Sequence, residues 1–173
     1  MLIETERLFC EPLTAAHADE MYPVLSDRRI YAWLPEQPPS SVDALRERYA
    51  FLSRGKSPDG TEDWLNWILR LRRTKDPIGF YQATVRPANC SIAFVLNPVH
   101  WGKGYATEAS HAILTNLFER HGVAVARAEI SVRNGASIEL VRRLGFSFVR
   151  HDAAESDDIY EITERAWNAR RVL

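Results

Sequence analysis

The stretch that most constrains this chain runs from Val95 to Ala109, Val-Leu-Asn-Pro-Val-His-Trp-Gly-Lys-Gly-Tyr-Ala-Thr-Glu-Ala. An apolar run, Ile92 to Leu96, breaks at Pro98, crosses Gly102 and Gly104, and enters a segment whose apolar residues recur at helical spacing from Tyr105. A strand, a glycine turn and a helix start in that order build an anion site. Glycine lets backbone approach a phosphate, the first helical N–H groups have no internal partner, and the helix dipole favours negative charge there. Lys103, between the glycines, adds a positive charge. The dinucleotide fingerprint fails, because it needs a third glycine where Thr107 stands and belongs to the first strand of a βαβ unit. A Walker loop fails too, since neither Gly102-Lys103 nor Gly55-Lys56 sits in the required G-x-x-x-x-G-K-[ST] frame.

The 173 residues suit one domain, 1–173, with a full core. Net charge is −1 with acids and bases intermixed, so no basic footprint argues for nucleic acid. No apolar run reaches membrane-spanning length, and the charged start Glu4-Thr5-Glu6-Arg7 does not read as a secretory signal. Cys10 and Cys90 are far apart and lack a C-x-x-C partner, and the five histidines show no ligand spacing, so no metal is expected. These features point to a reducing, cytoplasmic setting.

Strands are predicted over 7–12, 64–72, 78–85, 90–96, 123–132, 146–150 and 159–163. Helices are predicted over 14–25 (bent or ended by Pro23), 40–53 with a capping box at Ser40 to Asp43, 105–120 and 136–144, with a short helix capped by Thr163. Tyr31 to Pro39 reads as a loop rich in proline and aromatics. A meander, a βαβ crossover and a final hairpin make a mixed α/β sheet.

Residues 101–109 resemble the acyl-CoA pyrophosphate loop of the GNAT superfamily of N-acetyltransferases, in the variant found in ribosomal-protein N-terminal acetyltransferases of the RimJ/RimL type. The superfamily loop reads Q/R-x-x-G-x-G/A, and here Trp101 stands first, as that subgroup has it. Three more segments fit in the family's order: Glu4 to Leu8 with Glu11-Pro12-Leu13, Asn134 to Ser137 with Arg143-Leu144-Gly145-Phe146, and Tyr160 to Trp167. The resemblance implies a central, mostly antiparallel twisted sheet with one splayed parallel strand pair, flanked by helices. It implies acetyl-CoA as cosubstrate and a primary amine as acceptor, with a homodimer left open.

Carried over residue by residue, the resemblance assigns Phe94, Val95 and Leu96 to the pantetheine arm and thioester, through backbone groups. It gives Trp101, Gly102, Lys103, Gly104, Tyr105, Ala106 and Thr107 to the pyrophosphate, and Asn134, Ser137 and Arg143 to the rest of the cofactor. By its own residue type Asn134 is a helix cap and Ser137 a first-turn residue. The resemblance adds a contact from Asn134 to the pantetheine amide and makes Ser137 the candidate general acid, because Val141 stands where many relatives carry a tyrosine. The glutamate that other members place before the loop is replaced by Ser91, which leaves Glu129 as the nearest acidic candidate for a general base. Tyr31, Trp33 and Leu34 are expected to line the acceptor pocket, with one of Trp64 and Trp67 facing it.

A weak base bears on the acceptor. At pH 7 a peptide α-amine is roughly 14 % neutral and a lysine side chain only about 0.04 %. Deprotonating lysine therefore costs about 3 kcal/mol or more beyond the α-amine. The sequence accordingly leans toward protein or peptide N-termini. Small-molecule amines (a polyamine, an antibiotic, an amino acid) and a silent acyl-CoA sensor are the alternatives.

Overall fold

A computed structural model describes residues 1–171. Its strands are β1 (Ile3–Glu4), β2 (Leu8–Pro12), β3 (Asp63–Leu71), β4 (Pro77–Arg86), β5 (Asn89–Leu96), β6 (Val125–Ser131), β7 (Ser147–Asp152) and β8 (Asp157–Thr163). Its helices are α1 (Ala18–Leu25), α2 (Val42–Leu52), α3 (Tyr105–Arg120), α4 (Gly135–Leu144) and α5 (Glu164–Arg171). All eight strands join one sheet in the order β1-β2-β3-β4-β5-β6-β8-β7. Every pairing is antiparallel except β5 with β6. This is the expected mixed α/β sheet flanked by helices.

Strand alternation divides the core into two layers. Cys90, Ile92 and Leu96 of β5 and Ala126, Ala128 and Ile130 of β6 pack against Ile113 and Leu117 of α3 and Val141 and Leu144 of α4. The opposite face buries Ile68 with Met21 and Leu25 of α1 and Leu45 and Tyr49 of α2, and Phe80 and Val95 pack against that cluster. Ala109, Ile113 and Leu117 form the fully buried stripe of α3, as their spacing requires.

The parallel pair positions the site. β5 and β6 are paired from Asn89 opposite Val125 to Ile92 opposite Ala128, and then part. β5 stays on β4 as far as Leu96 opposite Gly79, while β6 stays on β8 as far as Ser131 opposite Asp157. Each strand is held by its antiparallel neighbour as the two diverge. The edge of β5 from Ala93 to Leu96 that turns away from β4 is thus left without a strand partner.

Three local expectations need correction. Residues 28–33 form a 3-10 helix, not a loop, because the Asp27 carboxylate accepts the Arg29 N–H at 3.0 Å and starts the turn. At α2 the cap is Ser41, whose hydroxyl accepts the Ala44 N–H at 3.0 Å, so the start is a simple N-cap rather than the Ser40–Asp43 box. Helix α1 runs two residues past Pro23 and ends where Ser26 Oγ donates to the Tyr22 carbonyl at 2.7 Å. Thr163 caps α5 as expected, accepting the Ala166 N–H at 3.2 Å.

Candidate active site

The loop after β5 is built by its own side chains. Asn97 Oδ1 accepts the Val99 N–H at 3.2 Å, and its Nδ2 donates to the Val24 carbonyl at 3.0 Å, tying the loop to α1. Pro98 opens a 3-10 turn over Pro98–His100, and Trp101 Nε1 donates back to the Leu96 carbonyl at 2.8 Å. Gly102 and Gly104 then take φ of +70° and +80°, a region in which any side chain is strained. Gly104 caps α3, and the first intrahelical bond is donated by the Glu108 N–H to the Gly104 carbonyl at 3.0 Å. The N–H groups of Tyr105, Ala106 and Thr107 precede that bond and point out of the helix start. A pyrophosphate fits this cradle.

The N-terminal segment holds the cradle in place. Glu108 accepts from Thr5 Oγ1 at 2.5 Å, from the Arg7 N–H at 2.7 Å and from Arg7 Nε at 2.6 Å. Arg7 Nη1 donates to the Lys103 carbonyl at 3.0 Å, and the guanidinium lies 4.7 Å from the centre of the Tyr105 ring. Burial works to raise the Glu108 carboxyl pKa, but the hydrogen bonds from Thr5 and Arg7 outweigh it and leave it lowered. Sequence reasoning missed this clamp, because its partners lie about a hundred residues apart.

Two cavities flank the free end of β5. One, of about 400 Å³, runs from the glycine loop to the start of α4. Its walls include Phe94, Val95, Leu96, Trp101, Gly102, Gly104, Tyr105, Ala106, Thr107, Asn134, Ser137 and Arg143. The structure thus brings together every residue predicted for the cofactor except Lys103, which contributes its carbonyl to Arg7 while its side chain lies outside the lining. Arg29, Ile30, His100, Ala136, Glu139 and Leu140 also line this cleft and were not foreseen. Arg143 is paired with Glu139 one turn earlier on α4. Burial, and then the Lys103 charge, lower the His100 pKa, so that ring is neutral at pH 7.

Asn134 Oδ1 accepts the Ser137 N–H at 3.2 Å, so Asn134 caps α4 while lining the cleft, with Ser137 one turn along the same wall. Val141 is fully buried in the core and offers the site nothing.

The second cavity, of about 330 Å³, lies on the α1–α2 face and is lined by Tyr31 and Leu34 among others. It shares Ile30, Leu34, Phe94 and Val95 with the first, so the two meet over the unpartnered end of β5. Trp33 needs correction: it lines the cofactor cleft, where the Arg133 guanidinium sits 5.0 Å from its ring centre, and not the second cavity. The 3-10 helix turns Tyr31 toward the second cavity and Trp33 toward the cleft, and Leu34, just past its end, lines both. Trp67 lines the second cavity, whereas Trp64 turns away, donating from Nε1 to Glu62 at 2.9 Å and packing on Phe51.

Glu129 also needs correction. It lies one residue beyond the last β5–β6 pair, exposed and outside the lining of both cavities. Its charge, second to burial, helps to raise the Asp157 carboxyl pKa. Ser91 is turned to Arg86 Nη1 at 3.4 Å. Among the described residues, Glu36 is the single carboxylate lining the second cavity. Nothing in its sequence context marked it. No cluster of three or more His, Cys, Asp or Glu among the described residues is placed to hold a metal ion.

Comparison with known proteins agrees with this fold. The chain is 22 % identical over 151 residues to an uncharacterized N-acetyltransferase, YoaA, of Bacillus subtilis (strain 168), covering 84 % of this chain and 82 % of that one. The fold superposes on RimL, a ribosomal L7/L12 α-N-protein acetyltransferase solved with coenzyme A, with a TM-score of 0.82 at 17 % identity, covering 96 % of this chain and 99 % of that one. It superposes on a spermidine N-acetyltransferase from Vibrio cholerae with a TM-score of 0.78 at 19 % identity, covering 93 % and 98 %. A family model described as an acetyltransferase (GNAT) domain matches residues 7–147, and with most of its length matched the chain belongs to the GNAT acetyltransferase family.

Proposed function

We propose that this protein transfers an acetyl group from acetyl-CoA directly to a primary amine, and that the amine is the α-amine of a peptide or protein N-terminus. One observation carries the reading: the glycine-loop cleft and the second cavity meet over the free edge of β5 at Phe94 and Val95. Acetyl-CoA supplies the acyl thioester, and this chain's residues bind and orient it. The N–H groups of Gly102 to Thr107 hold the pyrophosphate. The free edge of β5 pairs with the pantetheine arm as an added strand would be paired. A backbone N–H at Phe94 to Leu96 stabilises the oxyanion as the amine attacks the carbonyl carbon. Ser137 protonates the sulfur as the carbon–sulfur bond breaks, and the proton lost by the amine leaves through water. Neither Cys10 nor Cys90 takes part, since both are buried in the core and burial pushes each thiol up to about 12.

The α-amine is supported by protonation. With Glu129 outside both cavities and Glu36, the carboxylate lining the second, offset there by Arg48, the acceptor that arrives partly neutral is favoured. The solved relatives act, by their names, on a protein α-amine and on spermidine, so likeness of fold does not choose between acceptors. The cytoplasm is the proposed compartment, in keeping with two unlinked thiols. The test supplies acetyl-CoA and a peptide carrying a free N-terminus and an internal lysine, and locates the acetyl group by mass spectrometry. Acetylation at the N-terminus is expected. Modification mainly of the lysine, or of neither amine while a small amine is turned over, overturns the α-amine assignment.

A further inference from the structure

The second cavity has a chemistry of its own. Leu13, Leu25, Leu45, Leu52 and Phe80, drawn from four separate segments, give it a mainly apolar wall. Its ionisable charges are one carboxylate, Glu36, and one guanidinium, Arg48, which offset each other. The Tyr31 hydroxyl is already spent, donating to the Leu25 carbonyl at 2.9 Å. Burial, and to a lesser degree the Glu36 charge, raise its pKa against the opposing effect of Arg48, so it stays a neutral phenol at pH 7. A polycation brought here would find Glu36 as the one carboxylate, already offset by Arg48, and would hold its further ammonium groups in an apolar enclosure, at a desolvation cost of several kcal/mol per ion. A single neutral amine with a bulky apolar body meets no such cost.

We infer that the acceptor is a primary α-amine next to a large aliphatic or aromatic side chain, with that side chain filling the cavity and the amine reaching the junction at Phe94 and Val95. This rests on the acetyl-transfer reading above and narrows it. An apolar first residue of a peptide and an apolar amino-acid amide share this chemistry. At about 330 Å³ the cavity takes a Leu, Met or Phe side chain with room to spare. Each methylene moved from water into such a wall is worth about fourfold, so a leucine should outperform an alanine by about 10- to 100-fold in kcat/KM.

The experiment compares kcat/KM for short peptides differing only in the first residue (Leu, Phe, Met, Ala, Ser, Glu), with leucinamide and spermidine as further arms. Expected is a preference of at least tenfold for Leu, Phe or Met over Ala, Ser and Glu, with spermidine poorest. Leucinamide matching the leucine peptide identifies an amino-acid source, and a peptide well ahead of it identifies an N-terminus. Either result supports the inference. The variant Ala44→Trp, at an exposed position on α2 that lines the cavity, tests the cavity itself. It should cut the Leu-to-Ala preference at least tenfold while calorimetry shows native acetyl-CoA affinity. Equal or better use of Glu, Ser or spermidine, or an unchanged preference in Ala44→Trp, overturns the inference and leaves acetyl transfer standing. Acetyl-CoA binding with no amine acetylated overturns both.

Discussion

Replacing Glu108 by alanine removes the acceptor on which three donors converge. Thr5 Oγ1, the Arg7 N–H and Arg7 Nε all end on its carboxylate, which is only 16 % exposed. Hydrogen bonds to a charged group are worth about 1.5–3 kcal/mol each when shielded. The guanidinium bond must be discounted to a few tenths, because the Arg7 side chain is 44 % exposed and screened by solvent. Of the remaining two, the Arg7 N–H bond is also exposed and is taken at about half its shielded worth, so the expected loss is about 2–4 kcal/mol, or a Tm lower by roughly 5–15 °C in a domain of this size. The released Arg7 also loses its hold on the Lys103 carbonyl, so acetyl-CoA affinity should fall about tenfold, equivalent to about 1.4 kcal/mol. Glu108→Gln, which keeps the shape and one acceptor but not the charge, should lose less of both.

The pH dependence has a definite sign. The folded-state carboxyl of Glu108 is lowered, so its stabilisation is full above the unfolded value of about 4.3 and is lost as pH falls through the lower folded value. The stability gap between native protein and Glu108→Gln should therefore be flat from about pH 6 to 8 and close below about pH 4. Thermal melts across pH and calorimetric titration with acetyl-CoA read both effects. A Glu108→Ala protein that melts within 2 °C of native, at about the resolution of such a comparison, and binds acetyl-CoA with native affinity would refute the clamp.

Gly104→Val forces a β-branched residue to φ +80°, with its Cβ 3.3 Å from Arg7 Nη2, and should abolish acetyl-CoA binding in calorimetry while circular dichroism stays native. Ser137→Ala should lower kcat by about 10²–10⁴-fold with acetyl-CoA affinity nearly unchanged; an unchanged kcat in steady-state assays makes water the proton donor. Gly79→Ala would set a Cβ 2.0 Å from the Val95 carbonyl oxygen, so β5 must shift at the junction, and both Tm and kcat should drop.

What was legible in the sequence is what sits in consecutive residues. The glycine loop announces itself because a strand end, two positive-φ positions and a helix start occupy a dozen neighbouring residues, each with its own residue preference. The meander, the crossover and the final hairpin were legible for the same reason, but not that β8 rather than β7 lies beside β6. Trp33 was expected in the second cavity and lines the cleft instead, because side-chain direction depends on local turn geometry, which residue type does not report. Glu129 was close in register but had no way of declaring that β5 and β6 part at Ile92 and Ala128. The second cavity was nearly invisible, as its walls come from segments that only the folded sheet brings together. The Thr5–Arg7–Glu108 clamp was hidden for the same reason: its first two members look like an ordinary charged N-terminus.

A structure of the protein with acetyl-CoA tests the central claim most directly. The pyrophosphate should rest on the N–H groups of Gly102 to Thr107, the pantetheine should run along the free edge of β5, and the thioester should lie beside Phe94 and Val95, facing the second cavity and within reach of Ser137 Oγ. A pyrophosphate bound away from the two glycines, or a thioester that does not open toward that cavity, would contradict it.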